Sequence, residues 1–384
     1  MTSLPISIKF NVLTWNYGEH TIEKLTDVLK GLINGEVDDN TAYVLGLQEV
    51  NSKQVFQIVE ETKKINSNYK ILHHTCNTNI SIGSLNKFVL LTIVISKLSI
   101  TMSENSCKGR ASSMPTSRWT ISPKVVATKG DNIMRIRVAD KTVAVINVHL
   151  PLDSGEYQIS NLNSLFSTEY KTKYKLFLGD FNCRSMITDN CIKDMCVIPY
   201  AKRVEGSTSN LQELMNGETN DAIMRKIREE DSLHKMCGIN SYTTNQLVKS
   251  KVSEQTSVAE LSETIKDIIY NSIPPNVGND FLANSELLAS YNVDSEGKYA
   301  LTKTKNDKTL YCPPGLADRI FSIGFEKGDE FKYKTLQIIG NDHLPVLCTG
   351  LMLPIQSVGG KKHTRKNKLP KRKRRRSLCT RKPI

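Results

Sequence analysis

Apolar positions recur along this chain with two periods, and the changes of period divide it into short strands and amphipathic helices. Runs rich in Val, Ile, Leu and Phe at 9–15, 43–49, 88–96, 134–138, 143–150 and 175–180 predict β-strands, as do those at 319–325, 336–340 and 346–351. Ala139, Asp140 and Lys141 sit between two of these runs and predict a hairpin turn. A helical stripe runs through Ile22, Leu25, Leu29, Leu32 and Ile33 and stops at Asn34-Gly35. A second begins with Val55, Ile58 and Val59 behind a Ser52 cap. Strands interleaved with helices in this way predict a layered α/β sandwich.

The stretch from about 186 to 308 breaks the pattern. It is polar, contains no convincing strand run, and has helical periodicity near 221–231 and 258–270, the latter opened by a Ser257/Glu260 capping box. It reads as a long, partly helical insertion within one domain spanning 1–356. No internal repeat is visible.

Charge alters the picture only once it is located. Residues 361–384 hold 13 of the 52 Lys and Arg and no Asp or Glu, so the remaining 39 basic residues equal the 39 acidic ones of the whole chain. The net charge of +13 is therefore that of a tail. Residues 357–384 read as a disordered basic extension. The run Lys371–Arg376 suits nuclear import, a nucleic acid or an anionic membrane surface, and its composition is similar to basic C-termini of large DNA virus proteins. No secretory leader is visible, and the most apolar run is about eight residues, short of the ~20 that span a bilayer. Nine scattered cysteines without CxxC spacing predict reduced thiols and an intracellular setting, cytoplasmic or nuclear.

Polar residues recur at strand ends, where a rigid sheet can aim them into one cleft. Thr14-Trp15-Asn16 ends the first strand and Leu47-Gln48-Glu49 the second. Asn147 and His149 stand two apart, as do Asp180 and Asn182, so each pair shares a strand face. Asp318-Arg319 opens a later strand, and Asn341-Asp342-His343 precedes the last. Any one of these has an ordinary reading as a turn, a surface ion pair or a solvated carboxylate. Six in order point to a site. The chain has no Cys-x5-Arg, GxxxxGK[ST] or HExxH motif.

This order resembles that of the endonuclease/exonuclease/phosphatase superfamily, and most of all its inositol polyphosphate 5-phosphatase branch. The matching pieces are 13–16, 46–49, 147–150, 178–184, 318–321 and 342–346. Arg184 after Gly-Asp-Phe-Asn, the Asp-Arg-Ile at 318–320 and the Asn-x-His-Leu ending at Leu150 favour the phosphatase branch. Lys129-Gly130 is similar to the end of the family's Gly-Asn-Lys-Gly segment, with Thr128 in place of Asn. Pro313-Pro314-Gly315-Leu316-Ala317 lacks the aromatic and Cys that usually precede Asp-Arg-Ile, and Cys183 replaces the usual aromatic before Arg184.

The resemblance implies a four-layered α/β sandwich of the DNase I-like type, two packed β-sheets flanked by helices. It implies a Mg²⁺-dependent phosphomonoesterase acting on inositol polyphosphates or phosphoinositides. Glu49 would be the main metal ligand, with Asn16 and Asp342 nearby, a hard-oxygen set that suits Mg²⁺. Asp180 would activate the attacking water, Asn182 position it, His343 bind the scissile phosphate with Asp318 behind it, and His149 stabilise the transition state. Arg184, Asn147, Arg319, Lys308 and Tyr311 are the substrate-binding candidates, with Lys303 and Lys305 further possibilities for a ring phosphate. A nuclease of the same superfamily, helped by the basic tail, is the alternative, and a non-catalytic protein retaining the fold is a third reading.

Overall fold

Residues 7–18, 20–33, 39–65, 67–77, 88–111, 125–151, 164–165, 172–182, 290–291, 302–305, 308–311, 315–338 and 342–355 are described by the computed structural model, with backbone alone at 111, 125–128, 302–305 and 308–311. In chain order the elements are β1 (Ser7–Asn16), α1 (Ile22–Ile33), β2 (Thr41–Asn51), α2 (Val55–Ile65), β3 (Lys70–Cys76), β4 (Phe88–Ser96) and β5 (Ile100–Ala111). There follow β6 (Val125–Val138), β7 (Lys141–His149), β8 (Tyr174–Asp180), β9 (Thr302–Lys305), β10 (Lys308–Tyr311), β11 (Asp318–Ile323), β12 (Glu326–Thr335) and β13 (Val346–Pro354).

The strands form a six-stranded sheet, order β12-β13-β1-β2-β4-β3, and a five-stranded sheet, order β11-β8-β7-β6-β5. β1 and β2 run parallel at the centre of the first sheet, and β7 and β8 run parallel in the second. Phe10, Val12, Val44 and Val94 of the first sheet join Met134, Ile136, Val145 and Leu178 of the second in one buried core. Each such side chain is worth about 1.5–3 kcal/mol over leaving it in water, so sheet-on-sheet packing dominates the fold. The other face of the six-stranded sheet (Leu13, Trp15, Tyr43, Leu45, Leu91, Ile93) takes the apolar stripes of α1 and α2. α1 spans the predicted stripe, with Ile22, Leu25, Leu29 and Ile33 inward. α2 follows a turn in which Asn51 Oδ1 accepts the Lys53 N–H at 3.1 Å.

The two packed sheets and a helical layer on one of them agree with the predicted sandwich. The helices expected near 221–231 and 258–270 and the tail at 357–384 lie outside the described residues. No described helix is long and apolar enough to cross a membrane.

Four expectations need correction. No strand occupies 336–338; the edge of the sheet is β12, at 326–335. That strand carries Glu326, Lys327, Asp329, Glu330, Lys332 and Lys334, charges that guard an exposed edge and hide its alternation. The strand predicted at 319–325 begins one residue earlier and stops at Ile323, where Gly324 takes a positive φ of 78°. The insertion is not strand-free, since β9 pairs with β10 as a hairpin at its C-terminal end. Finally, not every thiol is solitary: Cys76 and Cys107 are paired as a disulfide, their Cα atoms 5.5 Å apart.

Candidate active site

Parallel pairing brings the strand ends together. On β1 and β2, Asn16 stands opposite Gln48, and on β7 and β8, His149 stands opposite Asp180. Asp180 also faces Asp318 across the β8–β11 pair. At Gly179 the φ is +146° and a Cβ would lie 2.0 Å from the Val148 carbonyl oxygen, so only glycine allows β8 this close to β7. The register of β2 against β4 slips between Leu47 and Val50, and Glu49 adopts a left-handed φ of 54°. This bulge turns Glu49 out of the ladder, a strained conformation of the kind found at functional sites.

Beneath the strand ends, a buried amide network ties the sheets together. Asn147 Nδ2 donates to the carbonyls of Leu47 (3.2 Å) and Leu91 (3.0 Å), and its Oδ1 accepts from Gln48 Nε2 at 2.7 Å. Gln48 also reaches Thr14 Oγ1 and the Gly46 carbonyl. A Cβ at Gly46 would strike Leu178 at 2.6 Å, so the approach of the two sheets depends on that glycine.

Above the network, acidic and basic groups converge. Asp180 Oδ2 lies 3.3 Å from His149 Nε2 and accepts from Asn16 Nδ2 at 3.1 Å, while Asp180 Oδ1 accepts the Asn182 N–H at 2.8 Å. Glu49 Oε1 lies 3.7 Å from the same histidine nitrogen, which Lys129 Nζ also contacts. Burial alone would raise the Asp180 carboxyl, but the hydrogen bond and charge of His149, with His343 and Lys129, hold it well below the usual carboxylate range. Glu49 follows the same logic: burial pushes it up, and His149, Lys129 and His343 overcome that and lower it. Both carboxylates are ionised at neutral pH.

A second histidine–carboxylate pair is closed on itself. His343 Nδ1 is 2.8 Å from Asp318 Oδ2, and Asp318 is further held by its backbone N–H donating to Ser290 Oγ at 3.0 Å. The His343 ring lies against Tyr291, centroids 4.7 Å apart, and its carbonyl accepts the Trp15 indole N–H at 3.3 Å. Burial opposes the charged imidazole, but Asp318, Asp180 and Asp342 outweigh it and push His343 up to about 9.

The structure thus brings together Asn16, Glu49, His149, Asp180 and Asn182, with Asp318 and His343 alongside. Asp342 is half-buried, and its charge acts on both His343 and His20. Asn147 is not aimed at a ligand; its donors and acceptor are spent on holding the sheets. Arg319 is buried, with Nε donating to the Leu316 carbonyl at 2.9 Å, which makes it a support for the loop before β11. Arg184 lies outside the described residues, and Lys308 and Tyr311 are placed by backbone only, opposite Lys305 and Thr302. Lys129 was not among the candidates, although the Lys129-Gly130 pair before a strand was a signal for it. His20, Ser290 and Tyr291 carried none.

Among the described residues no group of three or more His, Cys, Asp and Glu is arranged to hold a metal. Mg²⁺ does not require one, because it is held by one or two carboxylates while keeping several waters. An ionised Glu49 that remains partly exposed, with the amide of Asn16 at the adjoining strand end, fits such an ion.

No protein-family model matches the chain, and no curated protein matches it. Among solved structures, it is similar to the inositol polyphosphate 5-phosphatase domain of a synaptojanin in complex with inositol (1,4)-bisphosphate and calcium, at 15% identity and TM-score 0.47, over 90% of this chain and 84% of that one. It is also similar to Cimex nitrophorin in a ferrous NO complex (13%, 0.48, 92% and 100%) and to an endonuclease/exonuclease/phosphatase family protein from Leptotrichia buccalis (14%, 0.38, 89% and 98%). The described residues form a layered α/β sandwich, two packed sheets with α1 and α2 on the six-stranded one. Proteins on one fold differ in function, so a functional reading has to come from the side chains.

Proposed function

We propose that this chain is a divalent-cation-dependent phosphomonoesterase acting on inositol polyphosphates or phosphoinositides, with Mg²⁺ as the cation and the 5-phosphate as the group removed. The observation that carries the reading is the convergence of Asp180, His149, Glu49 and Asn16 at adjacent strand ends, with His343–Asp318 beside them. A buried, ionised carboxylate with a histidine at 3.3 Å is arranged to take a proton from water. Asp180 accepts that proton as the water oxygen attacks phosphorus in line, and the ester oxygen departs with the inositol ring.

Asp180 can serve as base because its second oxygen is fixed by the Asn182 N–H, which leaves the carboxylate one orientation. His343, cationic at neutral pH, donates to a phosphoryl oxygen through Nε2 while Asp318 holds Nδ1. His149 is placed to add a hydrogen-bond donor to the transition-state oxygens, and the Lys129 ammonium beside it adds positive potential. Glu49 and Asn16 would hold the cation, with Asp342 near them; when bound, it polarises the phosphoryl group and offsets charge on the leaving oxygen. Arg184, Lys308 and Tyr311 are proposed to read the other ring phosphates. The basic tail at 357–384 is proposed to bring the enzyme to an anionic membrane or a nucleic acid.

A side-by-side assay tests the choice within the superfamily. With Mg²⁺, purified protein is expected to release inorganic phosphate from 5-phosphorylated inositides and to leave double-stranded and abasic DNA intact. Cleavage of DNA without phosphate release from inositides would reverse the assignment in favour of a nuclease.

A further inference from the structure

One feature outside the site joins the two sheets covalently. Cys76 ends β3, the edge strand of the six-stranded sheet, and Cys107 lies on β5, the edge strand of the five-stranded sheet. Cys76 is fully buried and Cys107 is exposed, so one sulfur of the pair can be reached from solvent and the other cannot. The Cys76 sulfur also lies 3.5 Å from the Asp131 carbonyl oxygen, so in the dithiol form its S–H has an acceptor waiting. Opening the bond leaves no buried donor stranded, and both redox states are accommodated.

The surroundings tie the pair to the catalytic strand. Cys107 is opposite Asn132 and Lys108 opposite Asp131 on β6. Asn132 Nδ2 donates to the carbonyls of His74 and Leu90 across the sheet interface, and Asp131 forms a buried ion pair with Arg110. Three residues before Asn132 on the same strand is Lys129, the cation at His149. A bond at Cys76–Cys107 therefore fixes the flank of β6 on which Lys129 is mounted.

We infer that Cys76–Cys107 is a reversible thiol-modification site whose oxidant is a small-molecule disulfide of the glutathione class. The exposed Cys107 thiolate attacks one sulfur of the oxidant, forming a mixed disulfide and expelling one glutathione thiolate. Cys76 then attacks the Cys107 sulfur and expels the second glutathione thiolate, which takes the Cys76 proton as it leaves. Two protein thiols are oxidised by two electrons, and one small disulfide is reduced to two thiols.

The test uses the full chain in its native state. It is equilibrated with oxidised glutathione and then with dithiothreitol, alkylated at each stage, and mapped by peptide mass. The oxidised form is expected to contain a Cys76–Cys107 bridge that dithiothreitol removes without unfolding. It is expected to melt about 5 °C higher than the reduced form, because the bridge closes a long loop. Peptides covering residues 129–138 exchange amide hydrogens more slowly when it is oxidised, and Cys107→Ser abolishes both differences. Thiols at 76 and 107 that still alkylate after oxidant, or a bridge that resists dithiothreitol in the native protein, would overturn the inference. So would a bridge mapping to other cysteines, or identical melting and exchange in the two forms; the mapping uses the unmodified chain and does not depend on any variant folding.

Discussion

Two histidine–carboxylate pairs among the described residues, His149–Asp180 and His343–Asp318, have their carboxylates on facing residues of β8 and β11, and they are held differently. His149–Asp180 is open: the separation is 3.3 Å, and Glu49, Lys129 and Asn16 crowd the same groups. His343–Asp318 is closed at 2.8 Å, its imidazole tilted against the Tyr291 ring and its aspartate braced by Ser290. In the first pair, nearby positive charge keeps the carboxylate ionised against its burial. In the second, surrounding carboxylates keep an imidazole cationic and ready to donate. Similar residue types are thus shifted in opposite directions by the sign of their neighbours.

Substitutions that treat the pairs unequally sharpen this contrast. Asp180→Asn keeps the shape and removes the base, so phosphate release is expected to fall at least about 10²-fold with the melting temperature little changed. Asn147→Ala strikes the scaffold under both pairs; leaving the carbonyls of Leu47 and Leu91 unpaired is expected to cost about 3 kcal/mol in urea unfolding. Asp318→Asn weakens one charge-assisted bond to His343, and a loss of about tenfold in kcat/KM follows from about 1.4 kcal/mol. Proton NMR should then show His343 titrating well below its wild-type value. Equal losses for Asp180→Asn and Asp318→Asn, with unchanged histidine titration, would erase the distinction between the pairs.

The smallest effect concerns acid stability. His20 packs on Trp15 with ring centroids 4.5 Å apart, and burial, aided by Lys24, lowers it from 6.5 to about 4. The folded chain resists protonating a group that the unfolded chain protonates readily. Its contribution is therefore complete above pH 6.5 and lost as pH falls towards 4. Melting curves at pH 7 and 4.5 should show a larger drop for wild type than for His20→Gln, by a few degrees.

Much of this was legible in the chain, and the misses share a cause. Strands with continuous apolar runs, such as β4 and β8, bury both faces and announce themselves. Three of the four edge strands of the two large sheets do not: β3, β5 and β12 carry His73, Glu104 and Lys332 where solvent or a neighbouring edge tolerates them, whereas β11, also an edge, keeps Ile320 and Phe321 buried and was readable. Among site residues, Asp180, His149 and Glu49 were readable because strand ends and the i, i+2 rule aim them. Whether a polar strand residue faces the cleft or the opposite sheet depends on packing, which is why Asn147 is a strut and not a ligand contact. Lys129 enters the site through the hairpin pairing of β6 with β7, where Gly130 faces His149. The Lys129-Gly130 pair marks the segment, but its contact with His149 is set by strand register, which local sequence does not encode.

Asp180 is the proposed base of a metal-dependent phosphate-ester hydrolysis. The most direct test of that role is the rate of inorganic phosphate release from a 5-phosphorylated inositide, measured for wild type and Asp180→Asn with Mg²⁺ and with excess chelator. Wild type is expected to turn over only with Mg²⁺, and Asp180→Asn to fall at least about 10²-fold at saturating substrate while remaining folded. Equal rates for the two proteins would contradict the account.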